Sequence, residues 1–128
     1  MNAGSQTGPV TVGVMGAGWV AQNRHIPALK QDGRAEVAAV FSHNTSDAEA
    51  AARRFRIPRS FDQMDKFLNE PLSAVAICTP PDSHATLIEA ALRSGKHVLT
   101  EKPMTLSAEQ GKALGRLAAE SGLILCPA

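Results

Sequence analysis

The sequence has no tyrosine and only 4% aromatic residues, so it lacks the platforms on which single-stranded nucleic acids stack. Its 13 lysines and arginines against 12 acidic residues leave a formal charge of +1, which excludes a chain-wide field drawing in a phosphate backbone. No stretch approaches the roughly 20 apolar residues of a membrane span. The start, Met1 to Gly8, is polar rather than a charged-then-apolar export signal. Two cysteines are present. Cys78 and Cys126 both lie in apolar runs and read as small buried hydrophobes rather than a disulfide or redox pair, which favours a reducing cytoplasm. No metal site is expected.

What is there suits one globular domain. The chain has 128 residues, 44% hydrophobic and 20% charged, enough apolar surface for a core and too little charge bias for disorder. Residues 1–8 read as a loose tail and residues 9–128 as the domain. From Pro9 onward, short β-branched runs alternate with helical patterns, the signature of a parallel sheet built from βαβ units. Strands are expected over Val10 to Met15, Glu36 to Phe41, Ala74 to Cys78, Lys96 to Thr100 and Leu123 to Cys126, with a short additional one near Arg59 to Phe61. The first helical stretch carries Trp19, Val20, Ile26 and Leu29, and Pro27 should kink it or mark its last turn. Ser46-Asp47 should cap the Ala-rich helix that runs to Phe55, and Asp62 a short helix through Phe67. Asp82 or Ser83 should open the helix that Gly95 stops, and Ser107 the last helix, which Gly122 stops. The fold class is therefore α/β, a doubly wound and mostly parallel sheet with helices on both faces.

The polar groups at Gly16, Ser42, Thr79 and Glu101 all follow strands, so they share the carboxyl edge where open α/β sheets bind ligands. Gly16-Ala17-Gly18-Trp19-Val20-Ala21 matches G-x-G-x-x-G/A between a strand and a helix, the context a Rossmann dinucleotide motif requires. Gly16 permits the tight turn, Gly18 lets the backbone approach a pyrophosphate, and Ala21 allows close helix-to-strand packing. The ligand's charge then faces unpaired N–H groups at the helix start. The alternative is a glycine turn that serves packing only.

At the end of the second strand, where a carboxylate would hold the ribose 2′-hydroxyl of NAD, stand Ser42, His43 and Asn44. Without that repulsion NADP is favoured over NAD, although the same residues could merely cap the next helix. The basic run Arg53, Arg54, Arg56 and Arg59 reads as a solvated face. Thr79, Pro80 and Pro81 form a stiff turn that could line the nicotinamide end or simply connect strand to helix. His84 reads as a hydrogen-bonding residue at the helix start. Lys102 could hydrogen-bond a substrate hydroxyl and assist proton transfer, with Glu101 holding it in place; a surface ion pair is the alternative. Lys102-Pro103 is a candidate cis bond.

In order, Val12-Gly13-Val14-Met15-Gly16-Ala17-Gly18, Ala76-Ile77-Cys78-Thr79-Pro80-Pro81-Asp82-Ser83-His84 and Gly95-Lys96-His97-Val98-Leu99-Thr100-Glu101-Lys102-Pro103 resemble the glucose–fructose oxidoreductase, inositol dehydrogenase and MocA family. The resemblance implies an NAD(P)-dependent enzyme moving hydride between nicotinamide and a sugar, cyclitol or related polyol. It implies that Lys102 assists catalysis and that Thr79 to Pro81 lie by the cofactor. Family members carry a second α/β domain that covers the nicotinamide and selects the substrate, and this chain stops at Cys126-Pro127-Ala128, where that domain should begin. The expectation is a fragment that binds cofactor without turnover and self-associates through apolar surface near its last strand. A stand-alone dinucleotide-binding or sensing module is the other reading.

Overall fold

The computed structural model describes residues 8–128, so the expected tail lies, Gly8 apart, outside the described residues. Strands β1 (Val10–Met15), β2 (Ala35–Phe41), β3 (Arg59–Phe61), β4 (Ala74–Ile77), β5 (His97–Thr100) and β6 (Leu125–Pro127) form a six-stranded sheet in the order β3-β2-β1-β4-β5-β6. Every pairing is parallel. The helices are α1 (Ile26–Gln31), α2 (Thr45–Phe55), α3 (Met64–Leu68), α4 (His84–Arg93) and α5 (Ala108–Ser121). Each face of the sheet buries its own apolar cluster. Val12, Val14 and Val40 pack with Ile26 and Ala51 on one face, whereas Met15, Phe41 and Ile77 pack with Phe67, Ile88 and Leu114 on the other. This is the doubly wound α/β architecture that the alternation of strand and helix patterns implied.

The register slips where Val12 pairs with Val37 but Gly13 pairs with Ala39. Ala38 is therefore an extra residue, a bulge that puts Val37 and Val40 on one face despite their odd spacing. Gly13 is required beside it. A Cβ there would stand 2.5 Å from Leu72 and 2.6 Å from Phe67.

Several boundaries differ from those the sequence suggested. The cap of α2 is Asn44, whose side chain accepts from the Asp47 N–H at 3.0 Å, so the helix starts before Ser46. Asp62 caps nothing; it accepts a hydrogen bond from the Thr45 hydroxyl, and Gln63 precedes α3. Ser83 precedes α4 without a side-chain cap, because its hydroxyl donates to the Pro80 carbonyl at 2.7 Å within a 3-10 turn over Pro81–Ser83. Ser107 does cap α5 by accepting from Gln110 N–H, and Gly95 and Gly122 take the left-handed conformations expected after helix ends. The last strand lies further along than Leu123 to Cys126, and Cys126 is exposed there, not buried.

Pro27 neither ends the helix nor stands in its last turn. Proline lacks an N–H and its ring collides with the carbonyl four residues back. The chain answers by widening: residues 19–31 are helical throughout, but Ala21–His25 form a π turn in which Ile26 N–H reaches Ala21 O. Regular α1 then carries Pro27 in its first turn.

Candidate functional site

β1 leads by way of α1 outward to β2 and β3, and the chain then returns to place β4 on the other side of β1. The order of strands therefore reverses between β1 and β4, and a crevice opens at their carboxyl ends. Backbone hydrogen bonds gather the loops there: Gly16 N–H donates to Phe41 O at 2.7 Å, Cys78 N–H to Met15 O at 2.8 Å, and Glu101 N–H to Ile77 O at 3.0 Å. The result is a cleft of about 560 Å³, within the common range for small-molecule sites of about 300 to 1,000 Å³.

The glycine loop forms one wall. Gly16 has φ +109°, a conformation closed to residues with a side chain, and a Cβ there would also meet the Cys78 carbonyl at 3.0 Å. A Cβ on Gly18 would meet nothing within 4 Å. The space above Gly18 is thus open to a ligand, and the amides that begin the helix have no intrahelical acceptor. Ala21, the third position of the motif, is fully buried under the loop. The loop is braced from behind: Gln22 donates to the Ala17 carbonyl at 2.7 Å and accepts from Arg54 at 2.9 Å, so Arg54 is more than a solvated charge. Trp19 is 65% exposed at the rim, and Val20 lines the cleft beside it.

Ser42, His43 and Asn44 close the far end. Ser42 Oγ accepts from Asn44 N–H at 3.2 Å, and the His43 ring sits edge-on to Phe41 with centroids 5.1 Å apart. Asn44 spends its side-chain oxygen on the α2 cap.

At the opposite end lie Thr79, Pro80 and Pro81, together with Glu101 and Lys102. His84 is fully buried and joins the two loops from beneath: Nδ1 lies 2.7 Å from Pro103 O and Nε2 2.8 Å from Thr79 O. Both partners are carbonyl oxygens, so whichever ring nitrogen carries hydrogen faces an acceptor. The Lys102-Pro103 bond is cis. Glu101 does not hold Lys102, as the sequence suggested; its Oε2 lies 2.6 Å from His25 Nε2, and the Lys102 side chain is exposed.

The structure thus brings the sequence-derived candidates to one crevice, with Ala21 under it. It adds Phe41 and Cys78 to the lining, and His25 behind Glu101. Burial pushes the Cys78 thiol up to about 12, with the nearby Glu101 charge adding to the effect. Phe41 and Cys78 end strands and read as core from sequence, and the signal for His25 was the helix-disturbing Pro27 two residues on. Among the described residues no group of three or more His, Cys, Asp or Glu could hold a metal ion.

A glycine loop at the strand-order reversal, with the reach above its second glycine left clear, fits a dinucleotide. The sequence pattern of the oxidoreductase family with an NAD-binding Rossmann fold, GFO_IDH_MocA, matches residues 10–128. The chain belongs to this family.

Its relatives are NAD(P)-dependent dehydrogenases and reductases. The 3-ketoreductase from Actinomadura kijaniata, solved in complex with NADP and TDP-benzene, superposes with a TM-score of 0.89 at 36% identity, covering 93% of this chain and 37% of that one. GenD2 from gentamicin A biosynthesis, solved with NAD, gives a TM-score of 0.89 at 26% identity, over 94% of this chain and 34% of that one. The scyllo-inositol 2-dehydrogenase (NADP(+)) of Bacillus subtilis strain 168 is 32% identical over 117 residues, 91% of this chain and 32% of its own length. The chain spans about a third of the length of the curated relatives it matches.

Proposed function

We propose that this chain is the cofactor-holding domain of an oxidoreductase that moves hydride between NADP and a hydroxyl-bearing carbon of a sugar, cyclitol or related polyol. The observation that carries this reading is the clear space above Gly18 facing a cleft that ends at Ser42. The pyrophosphate would rest on the amides from Gly18 to Val20, its charge met by the helix start. Ser42, His43 and Asn44 would take the adenosine ribose. They carry no carboxylate to repel a 2′-phosphate, which favours NADP over NAD.

At the other end, Thr79, Pro80 and Pro81 would flank the nicotinamide, which when bound supplies the hydride acceptor or donor. Lys102, exposed at the mouth of the cleft, would hydrogen-bond the substrate oxygen and exchange a proton with it as hydride moves at the adjoining carbon. Glu101 contributes a fixed carboxylate beside it. With this end open to solvent, the chain by itself would hold cofactor without turnover, since hydride transfer needs water excluded. The groove between α5 and β6, lined by Met104, Leu123 and Leu125 with Ile124 exposed nearby, is the apolar surface through which it would self-associate.

Trp19 makes the test direct. Titration with NADPH and with NADH should change its fluorescence, NADPH at the lower concentration. No response to either, with no heat by calorimetry, would overturn the reading.

A further inference from the structure

We infer that His25 is a positioning residue for the nicotinamide half of the bound dinucleotide, acting through the Glu101 carboxylate; the inference rests on the cofactor reading above. The reasoning starts with Pro27. Because the helix must widen ahead of it, His25 becomes the last residue of a π turn rather than one position in a regular α-helix. Such turns concentrate at functional sites, where they re-aim a side chain. Here His25 is aimed at Glu101, 76 residues away in sequence, with Nε2 at 2.6 Å from Oε2.

That contact reaches the cleft through Glu101, which lines it, while His25 meets the carboxylate from outside the lining. The His25 side chain is 12% exposed and the Glu101 side chain 29%, so the pair is shielded enough to hold one geometry. The Glu101 backbone is already fixed by its N–H to Ile77 O. With Oε2 taken by His25, Oε1 has no protein partner among the described residues and remains as an acceptor. Glu101 lines the same cleft as Thr79 and Lys102, and its charge is felt by the Cys78 thiol at the end of β4. A carboxylate so held accepts a hydroxyl of the ribose next to the nicotinamide without first losing rotamer freedom.

The test compares NADPH with 2′-phospho-ADP-ribose, which keeps the adenosine and pyrophosphate but lacks the nicotinamide. In the full chain, His25→Leu should weaken NADPH about tenfold, the scale of one hydrogen bond to a charged group, and leave the fragment unchanged. His25→Gln, which can still donate to Glu101, should recover most of the loss. Glu101→Gln should weaken NADPH selectively as well, and the double variant should lose no more than Glu101→Gln alone. Should His25→Leu fail to fold, Glu101→Gln carries the test: it must weaken NADPH selectively and shift the His25 ring resonances. Equal weakening of NADPH and fragment, or no weakening of either, overturns the inference while wild-type binding keeps the cofactor reading. A wild type that binds neither ligand removes both.

Discussion

A side chain at Gly16 would collide with Cys78. An ideal Cβ there lies 3.0 Å from both the carbonyl carbon and the carbonyl oxygen of Cys78, and φ at Gly16 is +109°. The closeness follows from the Cys78 N–H bonding Met15 O, which draws the ends of β1 and β4 together just where the glycine loop leaves the sheet. Gly18, two positions on, has no such neighbour. The two glycines of the motif therefore differ: the fold requires one, and the other leaves open the space in which the proposed pyrophosphate would rest.

This separation is measurable. Gly16→Ala should lower stability by about 1–3 kcal/mol, the usual cost of a strained backbone position, read from urea denaturation. Gly18→Ala should leave stability within about 0.5 kcal/mol of wild type and yet weaken dinucleotide binding, because the added methyl stands in the ligand's space. If Gly18→Ala binds NADPH as wild type does, the space above it is not where the pyrophosphate rests.

Lys102 should divide binding from chemistry. It is exposed, and among the described residues it has no ion-pair partner. Lys102→Ala should therefore shift NADPH affinity by less than about twofold, since an exposed charge contributes little. Loss of NADPH affinity equal to that of Gly18→Ala, by Trp19 fluorescence, would place Lys102 in cofactor binding instead.

Much of this site was legible because it rests on local chemistry. Strand–glycine–helix order, the Thr79-Pro80-Pro81 turn and Glu101-Lys102-Pro103 are contiguous motifs, and parallel strands put their ends on one edge by rule. What escaped depends on contacts between distant segments. Glu101 stands next to Lys102 in sequence, which suggested that pair, but its true partner His25 is reached only after β1 and β5 are placed in one sheet. Gly13 looked like an ordinary strand residue, because Leu72 and Phe67, which exclude a side chain there, are remote in sequence. Cys126 lies in an apolar run, yet β6 is an edge strand and leaves it exposed.

His84 offers a test of how the nicotinamide end is braced. Its ring joins Thr79 O and Pro103 O at 2.8 and 2.7 Å in full burial. His84→Ala removes the ring that bridges these two carbonyls, and a buried acceptor left without its donor costs about 1–3 kcal/mol. A loss of unfolding free energy of that size, read from urea denaturation, is expected, with faster amide exchange in both loops. A variant as stable as wild type would show that water replaces the ring at no cost.

The two cysteines should behave oppositely, and pH provides the contrast. Alkylation proceeds through the thiolate. Burial, with the Glu101 charge adding to it, pushes Cys78 up to about 12 from an ordinary value of 9.0, while Cys126 is exposed. At pH 8, iodoacetamide should modify Cys126 and leave Cys78 intact, as read by peptide mass spectrometry. The same shift acts on stability. Between 9.0 and about 12 the unfolded chain gives up the Cys78 proton while the folded chain keeps it. The unfolded state then binds fewer protons, so stability falls as pH rises through that window. Lys96, which burial lowers, works in the opposite direction because its folded form releases a proton earlier. The wild-type slope is a sum of the two, and Cys78→Ala isolates the cysteine's share: its stability should fall less between pH 9 and 11 than that of wild type. Parallel curves for the two proteins, or ready alkylation of Cys78 at pH 8, would mean that the thiol is neither desolvated nor facing the Glu101 charge.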